Sequence, residues 1–204
     1  MLREVLVVKR SVLFKEGSFE GFIPVEEKDF YKIIMENFEY RERADMEVDE
    51  NYKQVVSYVW LINPETKKVF LYQRSPSGYE KRLHNRYSGG IGGHIDKDTE
   101  ENSEKPIETA MIRELHEELF MQKYPEPKVV GWISDDSNPV GKVHLGSVAI
   151  AETIEDAKPA EDMEFGKFLS IEEIENLFSN PENSFDPWTK LSWSFIKSYL
   201  AKLN

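Results

Sequence analysis

The stretch from Gly92 to Met121, GGHIDKDTEENSEKPIETAMIRELHEELFM, constrains this chain more than any other. A glycine pair leads through an acidic loop into Arg113-Glu114-Leu115-His116-Glu117-Glu118. On a helix turning about 100° per residue, Glu114, Glu117 and Glu118 fall within an arc of roughly 100°, beside an apolar sector of Met111, Leu115 and Leu119. The glutamates therefore sit at the margin of the buried face. Like charges three or four residues apart each cost roughly 0.2–0.5 kcal/mol, and Glu118 stands four residues after Glu114, where a solvated helix would gain from Lys. Several carboxylates on one rigid helix suit Mg²⁺, which takes a few oxygen ligands and leaves other positions to water and substrate phosphates. A solvated acidic face is the competing reading, and the helix alone does not separate the two.

The surrounding segments do. Together with Gly92-Gly93 and the strand-like LYQR segment, the helix resembles the box of the Nudix hydrolases, the MutT-like family, whose signature is GX5EX7REUXEEXGU with U aliphatic. Gly93 matches the first glycine, and Arg113, Glu114, Leu115, Glu117 and Glu118 match REUXEE without a gap. VVSYVWLI, VFLYQRS and YSGGIGGHI follow the order of strands that precedes the box in that family. The resemblance covers about residues 53 to 178. It implies an α/β (α+β) Nudix fold, a mixed β-sheet sandwiched between helices. Residues 1–52 then form an N-terminal extension packing on the core, and 53–204 the Nudix domain with its C-terminal helix.

Two departures stand out. Nineteen residues separate Gly93 from Arg113, six more than the signature has. Counting back from Arg113, the isolated Glu of the signature falls on Lys105, so Glu104 is the nearest substitute. The last glycine of the signature is replaced by Phe120. Glycine there caps a helix in the left-handed conformation, so Phe120 implies either another helical turn or a different exit.

With 204 residues, 40% of them hydrophobic and 12% aromatic, the chain can bury a proper core. Its formal net charge of −12 argues against stable nucleic-acid binding, which needs Lys/Arg surfaces. It has no cysteine, hence no disulfide framework and no thiol chemistry. No apolar run approaches the ~18 residues of a membrane span, and the first residues lack the features of a signal peptide. A soluble, cytoplasmic chain without membrane contact is expected.

Residues 3 to 14 read as a strand or strand pair. Phe30, Ile33, Ile34 and Phe38 recur at helical spacing, giving a helix of about three turns. This apolar stripe must pack on the Nudix core or on a second copy of the chain, which makes a homodimer one expected partner. Residues 39 to 51 read as a charged surface connection. VVSYVWLI turns through Asn63-Pro64 and returns as KVFLYQR, a hairpin. KVVGWIS, KVHLGSVAIA and Phe165 to Leu169 read as further strands. Ser170 to Glu173 is a capping box, and Asp186-Pro187 opens the last helix.

The resemblance implies hydrolysis of a diphosphate linkage in a nucleoside diphosphate derivative or related small phosphorylated molecule. Glu114, Glu117 and Glu118 would hold Mg²⁺ or Mn²⁺, joined by the Gly93 carbonyl and by Glu104. Arg113 would orient a box glutamate. Arg74 and Gly92 are the candidates for substrate contact. For a general base, Glu164 is preferred among Glu161, Asp162 and Glu164, with Glu114 as the rival. Phe38, Tyr40, Tyr79 and Tyr87 could stack a base, although aromatics more often fill cores. His84, His94 and His144 show no metal-binding spacing, and His144 reads as a satisfied core or edge residue. His116, away from the carboxylates, reads as a surface residue. The missing cysteine argues against isopentenyl diphosphate isomerases, which share the fold. A non-catalytic Nudix-fold ligand-sensing module is the alternative, and the intact REUXEE core weighs against it.

Overall fold

The computed structural model describes residues 3–74, 86–160 and 163–203, except for the side chains of Arg74 and Glu164. Tyr79, His84, Glu161 and Asp162 lie outside the described residues. The chain begins with β1 (Glu4–Lys9), α1 (Arg10–Leu13), β2 (Gly21–Pro24), α2 (Tyr31–Asn37), β3 (Glu39–Glu42) and α3 (Arg43–Met46). The long β4 (Tyr52–Asn63) and β5 (Lys68–Arg74) follow, then β6 (Arg86–Ser88), β7 (Gly90–Ile91) and α4 (Lys97–Glu100). The box helix is α5 (Pro106–Glu118). After it come β8 (Leu119–Phe120), β9 (Lys128–Ser134), α6 (Pro139–Val143), β10 (His144–Glu152) and β11 (Lys158–Pro159). The chain ends with β12 (Met163–Leu169), α7 (Ile171–Ser179), β13 (Ser184–Phe185) and α8 (Pro187–Lys202). This is the expected mixed α+β class. No helix of the described residues is long and apolar enough to cross a membrane.

The chain divides into two compact units. The first comprises Met1–Tyr58, Gly92–Met111 and Lys128–Ala149; the second comprises Val59–Ile91, Ile112–Pro127 and Ile150–Asn204. β4, α5 and β10 each contribute residues to both.

In the first unit, β1 pairs antiparallel with β3 and with β4, placing Leu6 opposite Tyr40 and Val7 opposite Gln54. β2 pairs antiparallel with β9, Phe22 opposite Ile133. Val5 to Val8 are all buried. A four-residue run without alternation fits a strand covered on both faces. Val5 and Val7 share a cluster with Met46 and Tyr52.

The structure departs from the sequence expectations here in three places. After β1 the chain turns helical at Arg10 instead of continuing as strand. Residues 39 to 51 are not a mere connection, because β3 within them pairs with β1 through backbone bonds that charge patterning cannot reveal. The helix carrying Ile33 and Ile34 has seven residues, with Phe30 and Phe38 as its caps. Phe30 and Ile34 are buried, and Phe30 meets Trp132 edge to face at 6.0 Å.

In the second unit, β5 pairs antiparallel with β4, β6 and β12. β13 pairs parallel with β6, which makes the sheet mixed. The β4–β5 turn is the expected hairpin, and Asn63 Oδ1 accepts the Thr66 N–H at 3.0 Å. Trp60 donates to Ser192 Oγ at 3.1 Å and lies 6.0 Å from the Trp193 ring. Both helix-start readings hold. Ser170 and Glu173 form a reciprocal capping box, and Asp186 Oδ1 accepts from Trp188 N and Thr189 N.

Candidate active site

The box helix turns a local sequence pattern into a graded set of carboxylates. Ile107, Ala110, Met111 and Leu115 are fully buried, as is Leu119 just after the helix. That apolar stripe fixes the rotation of α5. Glu114 lies beside it and is 6% exposed, Glu118 is half-buried and Glu117 is exposed. A buried carboxylate is costly unless paired and hydrogen-bonded. Arg113 supplies the pairing, its Nη1 lying 2.8 Å from Glu114 Oε1 and 3.0 Å from Glu117 Oε2. One guanidinium nitrogen thus sits between two carboxylates one helical turn apart, and this cationic bridge offsets their mutual repulsion.

The helix ends at Glu118 and the chain leaves as β8, which pairs antiparallel with β11. Phe120 therefore marks a different exit, not another turn. His116 is exposed and stacks on Tyr124 with ring centroids 3.6 Å apart.

The loop before the helix is arranged by Ser57. The Gly93 carbonyl accepts the Ser57 N–H at 2.9 Å, and Ser57 Oγ lies 3.1 Å from both the nitrogen and the oxygen of Gly93. Gly92 has a φ of +158°, and a Cβ there would overlap the Ser57 carbonyl. Close backbone approach thus gives Gly92 a packing reason to be glycine. The six extra residues fall in a connection that includes α4. Within it Glu100 is buried, and its Oε2 accepts the Asp96 N–H at 2.7 Å. Glu104 is exposed and lies two residues before α5 begins. Gly92, Gly93, Glu100 and Glu104 belong to the first unit, while Arg113, Glu114, Glu117 and Glu118 belong to the second.

Arg74 ends β5 and Glu164 lies in β12; both side chains fall outside the described structure. Tyr87 packs against Phe165 and Phe185 at 6.2 and 5.3 Å between centroids, and Phe38 meets Tyr40 at 5.6 Å. These contacts fit the packing role for those rings. An open cleft of about 480 Å³, lined by Lys9, Arg10, Ser11, Phe14, Asn51 and Tyr52 among others, includes no box residue.

The sequence reading missed a buried polar cluster in the first unit. The Lys53 side chain is fully buried in β4, and its Nζ donates to Asp136 Oδ1 at 2.8 Å, Gly141 O at 2.8 Å and His144 O at 3.1 Å. Burial pushes the Lys53 ammonium below its ordinary pKa, against the opposing pull of Asp136. Burial works to raise the Asp136 carboxyl, but hydrogen bonds from Arg10 and Lys53 outweigh it and hold the group below its ordinary value. Nothing in the local sequence marks Lys53 as buried, since its partners lie more than eighty residues away.

The run Arg-Glu-x-x-Glu-Glu on one helix of a mixed α+β fold is similar to that of phosphohydrolases acting on acid anhydrides. The NUDIX domain family matches residues 52–189, and the chain belongs to the Nudix family. YmaB of Bacillus subtilis (strain 168) is 30% identical over 200 residues, covering 91% of this chain and 93% of YmaB. The crystal structure of Tm1382, of Nudix type, is similar with a TM-score of 0.77 and 28% identity, covering 96% of this chain and 99% of Tm1382. A Nudix hydrolase from Alicyclobacillus acidocaldarius shares the fold alone, with a TM-score of 0.51 and 9% identity over 74% of this chain and 93% of the other.

Proposed function

We propose that the chain hydrolyses a diphosphate linkage in a nucleoside diphosphate derivative or related small molecule, with Mg²⁺ or Mn²⁺ held by Glu114, Glu117 and Glu118. The observation carrying this reading is the Arg113–Glu114–Glu117 cluster, in which one cationic nitrogen already bridges two carboxylates. A donor set of carboxylate oxygens that gathers a cation fits a hard divalent ion. When bound, such an ion supplies charge neutralisation at the diphosphate and a more acidic water.

The chain's own residues do the remaining work. Arg113 orients Glu114 and offsets its charge. Glu114 is held by burial and by Arg113, whereas exposed Glu117 can exchange its Arg113 contact for an incoming ion. Glu164 is the proposed general base, taking a proton from the attacking water, with Glu114 as the next candidate. The net charge of −12 supports a small phosphorylated substrate over a nucleic acid.

Glu117→Gln and Glu118→Gln each keep side-chain size and delete one ligand charge. Each is expected to lower the rate of Mg²⁺-dependent phosphate release at least about 100-fold, about 2.7 kcal/mol of barrier, with folding preserved. The substrate panel would span nucleoside diphosphate derivatives. Full activity in both variants on a substrate of the native enzyme would overturn the assignment.

A further inference from the structure

Three side chains from distant segments converge in the first unit. Glu47 directly follows α3, His94 directly follows Gly93, and His144 opens β10. One ligand atom from each lies within 4.8 Å of the other two. The two Nε2 atoms of His94 and His144 are 3.1 Å apart, with the rings edge to face. Metal–ligand bonds of about 2.0–2.1 Å in a tetrahedral site put ligand atoms about 3.3 Å from one another. The nitrogen pair is already close to that spacing, and a Glu47 carboxylate oxygen lies within 4.8 Å of a nitrogen of each ring.

The surroundings hold these groups as ligands are usually held. His144 Nδ1 lies 2.7 Å from the Val140 carbonyl. A carbonyl only accepts, so Nδ1 carries the proton and the lone pair is on Nε2, which faces His94. Metal-binding histidines commonly donate their second nitrogen in this way. His144 is 5% exposed, and burial lowers its pKa, which favours the neutral ring a metal requires. Arg43 Nε donates to Glu47 Oε1 at 3.0 Å, fixing the carboxylate plane. His94 is set by its backbone, which forms an antiparallel bridge with Val56.

We propose that Glu47, His94 and His144 form a binding site for a borderline divalent transition-metal ion of the Zn²⁺ type, with water completing the coordination. Two imidazoles and one carboxylate suit Zn²⁺ and its neighbours, whereas Mg²⁺ prefers all-oxygen sites such as the box helix. The ion would tie the segment after α3, the loop entering the box and the start of β10 to one point. The competing arrangement is a neutral hydrogen bond, with His94 donating Nε2–H to His144, and it confers no metal affinity.

The test is Zn²⁺ titration of the chelator-stripped full chain in competition with a chromogenic chelator, with bound metal counted by elemental analysis. A Glu117→Gln/Glu118→Gln double variant serves as background to weaken any Zn²⁺ binding at the box. One equivalent is expected in both the native chain and the double variant. His94→Ala should lower the affinity roughly 100-fold, and Glu47→Gln should also weaken it. Both residues are half-buried and are chosen over buried His144 so that the variants fold, which circular dichroism would check. Zn²⁺ should raise the thermal midpoint of the native chain but not of His94→Ala. The proposal is overturned if the native chain binds no Zn²⁺, if His94→Ala and Glu47→Gln bind it as the native chain does, or if only the box variant loses it.

Discussion

Arg113, Glu114 and Glu117 lie within five consecutive positions on one helix, whereas Lys53, Asp136, Gly141 and His144 come together from a strand, a loop, a helix and the start of another strand. The first cluster is held by helical geometry, so its ion pairs form wherever the helix forms. Its burial decreases from Glu114 to Glu117, and Glu117 keeps access to solvent. The second cluster is held by tertiary packing around a cation with no exposed side-chain surface. Three acceptors satisfy the three N–H donors of that ammonium. On the proposed function the first cluster must exchange ligands, and its exposed member at the rim allows that. One that only supports the fold keeps its central cation buried and saturated with acceptors. Substitutions should accordingly affect rate in the first and stability in the second.

The sharpest way to break this contrast is Lys53→Met. It leaves Asp136 with Arg10 as its remaining charged partner and removes the donor shared by two buried carbonyls, each unsatisfied group costing about 1–3 kcal/mol. A large fall in the urea midpoint is expected, and a stability close to that of the native chain would remove the distinction. The rate loss expected for Glu117→Gln, without a comparable loss of stability, tests the other half.

A smaller effect is expected for Asp136→Asn, about 1.5–3 kcal/mol, the range for hydrogen bonds to charged groups. The folded-state carboxyl is held below its ordinary pKa of 3.8, so its contribution is fully present above that value. It is lost as pH falls through the lower folded value. The stability gap between the native chain and Asp136→Asn should therefore be constant near neutrality and narrow only in acid, below about pH 4. A gap that closed between pH 8 and 6 would assign the effect to another group. The smallest effect is expected for Ser170→Ala in the capping box of α7, about 1 kcal/mol. Because this cap is local like the box helix, thermal unfolding should register it with no change in activity.

Much of this contrast is legible in the sequence. The rotation of α5, the burial of Met111, Leu115 and Leu119 and the marginal position of the glutamates follow from a period of about 3.6 residues. The β4–β5 hairpin and both helix starts are legible because turn and cap chemistry acts over two to four residues. The course of residues 39–51 is not, because β3 is made by pairing with β1, and a short charged segment carries no sign of its partner. The exit at Phe120 admits two alternatives on sequence grounds, and pairing between β8 and β11 decides between them.

The histidines make the same point. His94 and His144 lie fifty residues apart with no ligand spacing between them, and Glu47 is one acid in a chain with 38 Asp and Glu residues. Their convergence is a product of strand order. What the sequence determined alone was therefore the carboxylates of one helix, which depend on residues a turn or two apart, and, through the resemblance its motif carries, the family and the mixed α+β class. Only the tertiary structure decided that Lys53 is buried, that Ser57 braces Gly93, and that two imidazoles meet beside a carboxylate. Those contacts join segments far apart in the chain, and local propensity does not encode which distant segments will pack together.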